Sequence, residues 1–325
     1  MQLPTVSRMN LVCSYLQIPI GLLSSVVLAS FCVQAQVADA KSKRTFTHDR
    51  DVETAYTWRH IPRWNGERLV GYDNNHSRGI VIYTVDRDGR HDETVFTLKD
   101  GAQINVVDVA GSQDGEIAII ASAYTTDTPF STFLARIAAD GQHQLITPTW
   151  PYCPGVVTFA PDGSVWTIGH LKDYENTRVL ENNVLRRFDR TGKMLGSTTL
   201  QVRGWQSAVT SYLRASRDRV GWFTLGGEYI EFSLDGSEIG RYEQPEGATE
   251  RNISGVDISE DNDVIAGRFG NGKAELVLLD REKRTWTAVA LPKEYAPTWA
   301  WVLGFDGTTL VTYSRSGLLR RFKTK

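Results

Sequence analysis

Disulfide chemistry has little to work with in this chain. Its three cysteines are Cys13, Cys32 and Cys153, and the first two fall in an N-terminal stretch that reads as removable, leaving a lone thiol that permits no internal bridge. Excess charge of one sign is lacking too. Lys+Arg count 36 and Asp+Glu 38, a formal net charge of −2, and no Lys/Arg run occurs, which excludes the basic footprint of a nucleic-acid binder. Helical periodicity is missing across the body of the chain; short apolar or β-branched runs broken by turn residues recur instead. No serine sits in a nucleophile elbow, and Cys153 lies between Pro151 and Pro154 without a matched base, so nucleophilic catalysis has no candidate.

Long apolar runs are limited to one, Leu16 to Val33. Residues 1–15 carry a single charge, Arg8, and Val33-Gln34-Ala35 places small residues where a signal peptidase reads. We read residues 1–35 as a cleaved secretory signal and residues 36–325 as a single domain. The alternative, an uncleaved anchor, is weakened by Pro19, Gly21 and several Ser residues. Phe31 before Cys32 is too bulky for a lipidation signal. With Gln36 as the mature start, Lys+Arg falls to 35 against 38 Asp+Glu and the net charge becomes −3. The expected location is periplasmic or secreted, with no stable membrane insertion after cleavage. Stability then rests on packing, and a chain of this size buries roughly three quarters of its unfolded surface without staples.

The recurring unit is a hairpin. "IPRWNGERLVGYD", "VVDVAGSQDGEIAIIAS", "VVTFAPDGSVWTIGH", "SYLRASRDRVGWFTL", "GVDISEDNDVIAGRF" and "WVLGFDGTTLVTY" turn at Asn65-Gly66, Asp114-Gly115, Asp162-Gly163, Arg217-Asp218, Asp261-Asn262 and Asp306-Gly307. Successive turns lie 49, 48, 55, 44 and 45 residues apart, the spacing of propeller blades. Between them lies a second set of hairpins, turning at Asp88-Gly89, Asp140-Gly141, Thr191-Gly192, Asp235-Gly236 and Arg281-Glu282. Each unit therefore holds four strands. The predicted fold is all-β, a six-bladed β-propeller of four-stranded antiparallel blades. Runs such as "IAIIAS" are apolar on both faces, as stacked blades require. The last unit is one strand short, and "KRTFTH", Lys43 to His48, is the expected outer strand that closes the ring from the N-terminal end.

The stretch "PGVVTFAPDGSVWTIGH" followed by "NNVLRRFDRTGKMLG" resembles the NHL-repeat propellers, with a Pro-Gly opening, an Asp-Gly turn, and Asn-x-Leu-x-x-Phe-Asp before a Gly turn. The same blade pattern is similar to the virginiamycin B lyase-type and gluconolactonase-type propellers. The likeness is good over residues 154–200, partial in the last blade, where "GLLRRFK" echoes "NVLRRFD", and elsewhere only a rhythm. It implies a fold more than a function, because propellers host many unrelated activities. The gluconolactonase type opens with Glu-Gly-Pro, whereas here Glu53 is followed by Thr54-Ala55. The lyase type needs a His and a carboxylate at the rim, which His170 begins to satisfy.

The crossovers and blade-to-blade connectors are longer than the hairpin turns, and long loops on a rigid scaffold are where recognition residues concentrate. That end of the ring carries Trp150, Tyr152, Tyr174, Trp205, Tyr295 and Trp299, with Arg203 and Arg251 nearby, and these eight form the candidate binding set. Tyr124, Phe130, Asp173 and Asn183 join them there. Rings supply apolar area while Arg and amide groups fix orientation; the same rings can instead plug gaps between blades. His91 and His143 sit two residues past turn glycines and read as solvated. His170, Asp173 and His76 are the candidates for a divalent metal, although no spacing has the specificity of a metal signature. Asn75-His76-Ser77 and Asn252-Ile253-Ser254 fit the glycosylation pattern. Two functions follow. One is an exported module that binds a protein, peptide or glycan at an aromatic rim. The other is a metal-assisted lyase or hydrolase acting in the central depression.

Overall fold

In a computed structural model, the protein is described over residues 44–54, 61–76, 79–98, 102–124, 131–173, 178–202, 211–224, 227–244, 253–270, 273–292, 295, 300–314 and 317–325. The signal sequence expected over residues 1–35 lies outside them. All regular structure among the described residues is β. A first strand, β1 (Phe46–Glu53), precedes the first full blade, which holds β2 (Arg63–Trp64), β3 (Arg68–His76), β4 (Gly79–Asp86) and β5 (His91–Phe96). Blade 2 holds β6 (Gln103–Gly111), β7 (Ile117–Tyr124), β8 (Ser131–Ile137) and β9 (Gln144–Pro148). Blade 3 holds β10 (Tyr152–Phe159), β11 (Val165–Lys172), β12 (Val179–Phe188) and β13 (Met194–Thr199). Blade 4 holds β14 (Tyr212–Ala215), β15 (Arg219–Phe223), β16 (Glu228–Ser233) and β17 (Glu238–Glu243), and blade 5 holds β18 (Ile253–Ile258), β19 (Val264–Gly270), β20 (Lys273–Asp280) and β21 (Thr285–Val289). Blade 6 is β22 (Ala300–Phe305), β23 (Thr309–Ser314) and β24 (Leu318–Thr324), with β1 as its fourth strand.

The ring closes as the sequence predicts, by antiparallel pairing of β1 with β24 from Phe46↔Thr324 to Glu53↔Leu318. The strand lies further along the chain than "KRTFTH": it starts at Phe46, the first large apolar residue, which is buried against Phe305 with ring centroids 6.1 Å apart. First strands touch first strands all the way round, β2 to β6, β10, β14, β18, β22 and back to β2. The burial gradient follows from that arrangement. All of β10 and nearly all of β7 are buried, while β5, β9 and β13 on the outside are mostly exposed.

Every predicted turn falls between the expected strands. Gly163 shows why the motif is Asp-Gly: its φ is +80°, the left-handed region that a Cβ disfavours. Asp162 Oδ1 accepts the Ser164 backbone N–H at 2.9 Å and so satisfies the turn locally. Asn262 takes the same role at φ +65°. Close packing at the axis imposes a different demand on Gly304 of β22. A Cβ there would lie 2.0 Å from Cδ1 of Trp64, so the indole of blade 1 fills the space next to blade 6 and leaves room for nothing larger than hydrogen.

Candidate functional site

The innermost strands should be apolar, yet four of them carry a charge: Arg63 in β2, Asp108 in β6, Arg214 in β14 and Asp257 in β18. Asp108, Arg214 and Asp257 are all buried. Charge in such a place persists only with partners. Arg63 donates from Nε to Asp108 Oδ1 at 2.9 Å and from Nη2 to Asp108 Oδ2 at 3.0 Å, a bidentate fork. Asp108 Oδ2 also accepts the backbone N–H of Val157 at 3.1 Å and ties blade 2 to blade 3. The Arg63 guanidinium carbon lies 6.0 Å from the ring centroid of Tyr212, which blade 4 contributes from across the axis. Burial opposes its charged form, but Asp108 outweighs that and raises its pKa.

The second pair differs. Asp257 Oδ2 accepts the Phe305 backbone N–H at 2.6 Å, joining blades 5 and 6 as Asp108 joins 2 and 3. Its Oδ1, however, is 3.7 Å from Arg214 Nε, an ion-pair distance without a hydrogen bond. Desolvation therefore wins on both members. It pushes the Asp257 carboxyl up to about 7 against the pull of Arg214, and burial, with Arg63 adding repulsion, brings the Arg214 guanidinium down to about 10.

Arg214 and Asp257 line a depression of about 580 Å³. Its mouth is formed by the turns between first and second strands: Asn65-Gly66, Asp114, Pro161, Arg217, Glu260 and Asp306 border it. Trp64, Phe159 and Phe305 give it apolar wall, and Arg87 and Arg190 add cationic groups against the carboxylates of Glu67, Asp114 and Glu116. This is the end of the ring where the sequence reading expected only short solvated turns.

At the other end, three of the eight expected residues, Trp150, Tyr152 and Tyr295, fall among the described residues. Tyr152, the first residue of β10, is fully buried, its hydroxyl pairs with Thr167 Oγ1 at 2.9 Å and donates to the Val184 carbonyl at 3.1 Å, and Arg186 caps its ring at 4.3 Å. It braces blade 3. Tyr295 is half-buried, stacks on His48 at 4.7 Å and packs edge-on against Phe322 at 5.3 Å, which is the gap-plugging role. Trp150 is half-buried. Tyr174, Arg203, Trp205, Arg251 and Trp299 lie outside the described residues, as does the His76 side chain.

The metal candidates fare as follows. His170 pairs in register with Cys153 across β10 and β11, and burial, then Lys172, holds its pKa below the ordinary value. Among the described residues no group of three His, Cys, Asp or Glu side chains converges as a metal site would require. His143 is solvated as expected, its Nδ1 2.7 Å from Asp140 Oδ2. No helix among the described residues is long and apolar enough to cross a membrane.

Strand order and ring closure define the chain as a six-bladed β-propeller. No family model matches the sequence, and no curated protein matches it. Solved structures do. A "putative gluconolactonase" is similar over 87% of this chain and 92% of its own, with 15% identity and a TM-score of 0.50. A streptogramin B lyase covers 86% and 98% at 12% identity and a TM-score of 0.49, and the virginiamycin B lyase of Staphylococcus aureus covers 86% and 99% at 12% identity and 0.45. At these identities the likeness is one of fold.

Proposed function

We propose that the protein is an exported binding module and that its ligand, a peptide, a segment of a partner protein or a glycan, seats in the axial depression. The observation that supports this reading is the depression itself: about 580 Å³, walled by Trp64, Phe159 and Phe305 and bordered by charges of both signs. Apolar walls with a few oriented polar groups are what small-ligand and peptide sites require. Rigid inner strands hold those groups in place. The reading moves the site from the crossover rim, where sequence alone put it, to the turn end of the ring.

The test is capture on peptide and glycan arrays by the mature protein, repeated with Gln113→Trp and Arg217→Glu, two exposed lining residues outside the core. Capture that both variants reduce supports the depression as the seat. Capture that neither changes removes it. Elemental analysis runs alongside: one divalent ion per chain, with a melting shift on chelation, replaces this reading with the metal-assisted lyase or hydrolase. Export is checked by N-terminal sequencing, where a mature chain beginning at Gln36 is expected and an intact Met1 overturns it.

A further inference from the structure

Many of the charges that line the depression are already matched. Arg214 stands 3.7 Å from Asp257, Arg190 Nη2 is 3.8 Å from Asp114, and Glu116 pairs with Arg136. Arg87 donates to the Gly66 carbonyl. Three more lining groups, the carboxylates of Glu67 and Glu260 and the guanidinium of Arg217, are exposed and enter no ion pair or side-chain hydrogen bond among the described residues. Each sits in the turn between the first and second strands of its blade: Glu67 in blade 1, Arg217 in blade 4 and Glu260 in blade 5. In a ring of six, blade 4 stands opposite blade 1 and blade 3 opposite blade 6. Arg217 is therefore across the mouth from Glu67, with Arg190 of blade 3 on its own side and the exposed Asp306 of blade 6 on the far side. The arc from blade 5 through blade 6 to blade 1 holds these three carboxylates against one cation, Arg87. The mouth is thus polarised, positive on blades 3 and 4 and negative on blades 5, 6 and 1.

We propose that the depression takes a short zwitterionic peptide, its carboxylate directed to Arg217 on blade 4 and its ammonium to the acidic arc of Glu260, Asp306 and Glu67. This rests on the depression being the binding site and names the ligand class within that reading. A simple anion meets repulsion from three carboxylates and a simple cation meets Arg217, whereas a molecule with one charge of each sign at opposite ends matches both sides. A neutral glycan makes no use of the polarity. The volume of about 580 Å³ lies in the range of sites that enclose drug-sized ligands, which a short peptide matches. All four groups are exposed, so an entering ligand reaches them without opening the core.

The experiment is calorimetric titration of the mature protein at pH 7 with tri-alanine in four forms: both ends free, N-acetylated, C-terminally amidated, and capped at both ends. Capping either end is expected to weaken binding about five-fold, as the loss of one exposed charge pair does, and capping both to weaken it further. Arg217→Gln is expected to weaken the free peptide about five-fold and to leave the amide unchanged, because the amide brings no carboxylate to that arginine. Glu67→Gln combined with Glu260→Gln is expected to weaken the free peptide and spare the acetylated one. Alanine alone, whose two charges are too close together to span the mouth, is expected to bind more weakly than tri-alanine. Equal affinity for all four forms, variants that weaken the peptide whichever end is capped, alanine binding as tightly as tri-alanine, or no binding of any form overturns the proposal. Gln113→Trp separates the two readings. Four forms that bind equally and are all blocked by it sink the zwitterion and leave the depression standing. Binding of the free peptide that Gln113→Trp leaves untouched sinks the depression, and the proposal with it.

Discussion

Asp108 and Asp257 sit in the same Val-Asp-(Val/Ile) context on first strands, each bonding to the next blade, yet the same substitution should move stability in opposite directions. In Asp108→Asn the amide N–H₂ meets the donors of Arg63, and one oxygen cannot serve both the fork and the Val157 N–H. Breaking a buried pair by altering one partner costs about 3–5 kcal/mol. Asp257 is already a poor anion. Burial lifts its folded pKa to about 7, above the ordinary carboxyl value of 3.8, so the folded state holds the proton more tightly than the unfolded chain, and stability declines as pH climbs from about 4 to 7. A shift of about 3 units corresponds to roughly 4 kcal/mol lost by pH 8. An Asn there keeps a carbonyl for the Phe305 N–H and has no charge to desolvate. The unit from Arg44 to Lys325 should unfold with an entropy of roughly 0.6 kcal/mol per degree. At pH 8, Asp108→Asn should therefore melt about 5–8 °C below the parent and Asp257→Asn several degrees above it, the gain vanishing near pH 4. Scanning calorimetry at pH 4, 6 and 8 reads both. Two variants that fall together at every pH would refute the distinction between a filled and an unfilled fork.

Other substitutions probe the frame. Gly304→Ala drives a methyl into Trp64, with Cβ only 2.0 Å from the ring, and should cost about 1–3 kcal/mol or more in denaturant unfolding. Phe46→Ala removes a buried ring from the closing strand and should cost about 3–5 kcal/mol, with hydrogen exchange speeding up first in β1 and β24. Glu231, 1% exposed, accepts from Arg219 at 3.1 Å, from Arg281 at 3.1 and 2.5 Å and from the Tyr229 hydroxyl at 3.1 Å; Glu231→Gln should lower stability by about 3–5 kcal/mol in an equilibrium urea titration, because two arginines lose their counter-charge.

The fold was legible because its signals are local. An Asp-Gly turn needs a left-handed backbone at one position and satisfies its own N–H groups, so it announces a hairpin without knowledge of the rest. Eleven hairpin turns, six of them Asp-Gly, at a blade's spacing then leave few alternatives to a propeller. Ring closure was legible from arithmetic, since the last blade lacked a strand. The axial depression was not. Loop length pointed to the crossovers, but loop length reports where the chain can vary, and the cavity depends on how far six inner strands stand from a common axis. The burial of Tyr152 was hidden for a related reason: its neighbours in sequence belong to a connector, while its own position opens an inner strand.

One signal for the site did exist in the sequence. "VVDVAG", "GVDISE", "YLRAS" and "IPRWN" each place a charge inside a run that the blade pattern assigns to the most buried strand. Local propensity and global burial conflict there, and such conflicts are expected where function or interblade linkage overrides packing. Linkage accounts for Asp108 and Arg63 completely, because every polar atom of that pair that faces the other is used. It accounts for Asp257 through the Phe305 N–H. It leaves Arg214 with Nε and Nη2 outside any hydrogen bond, Nε 3.7 Å from Asp257 Oδ1.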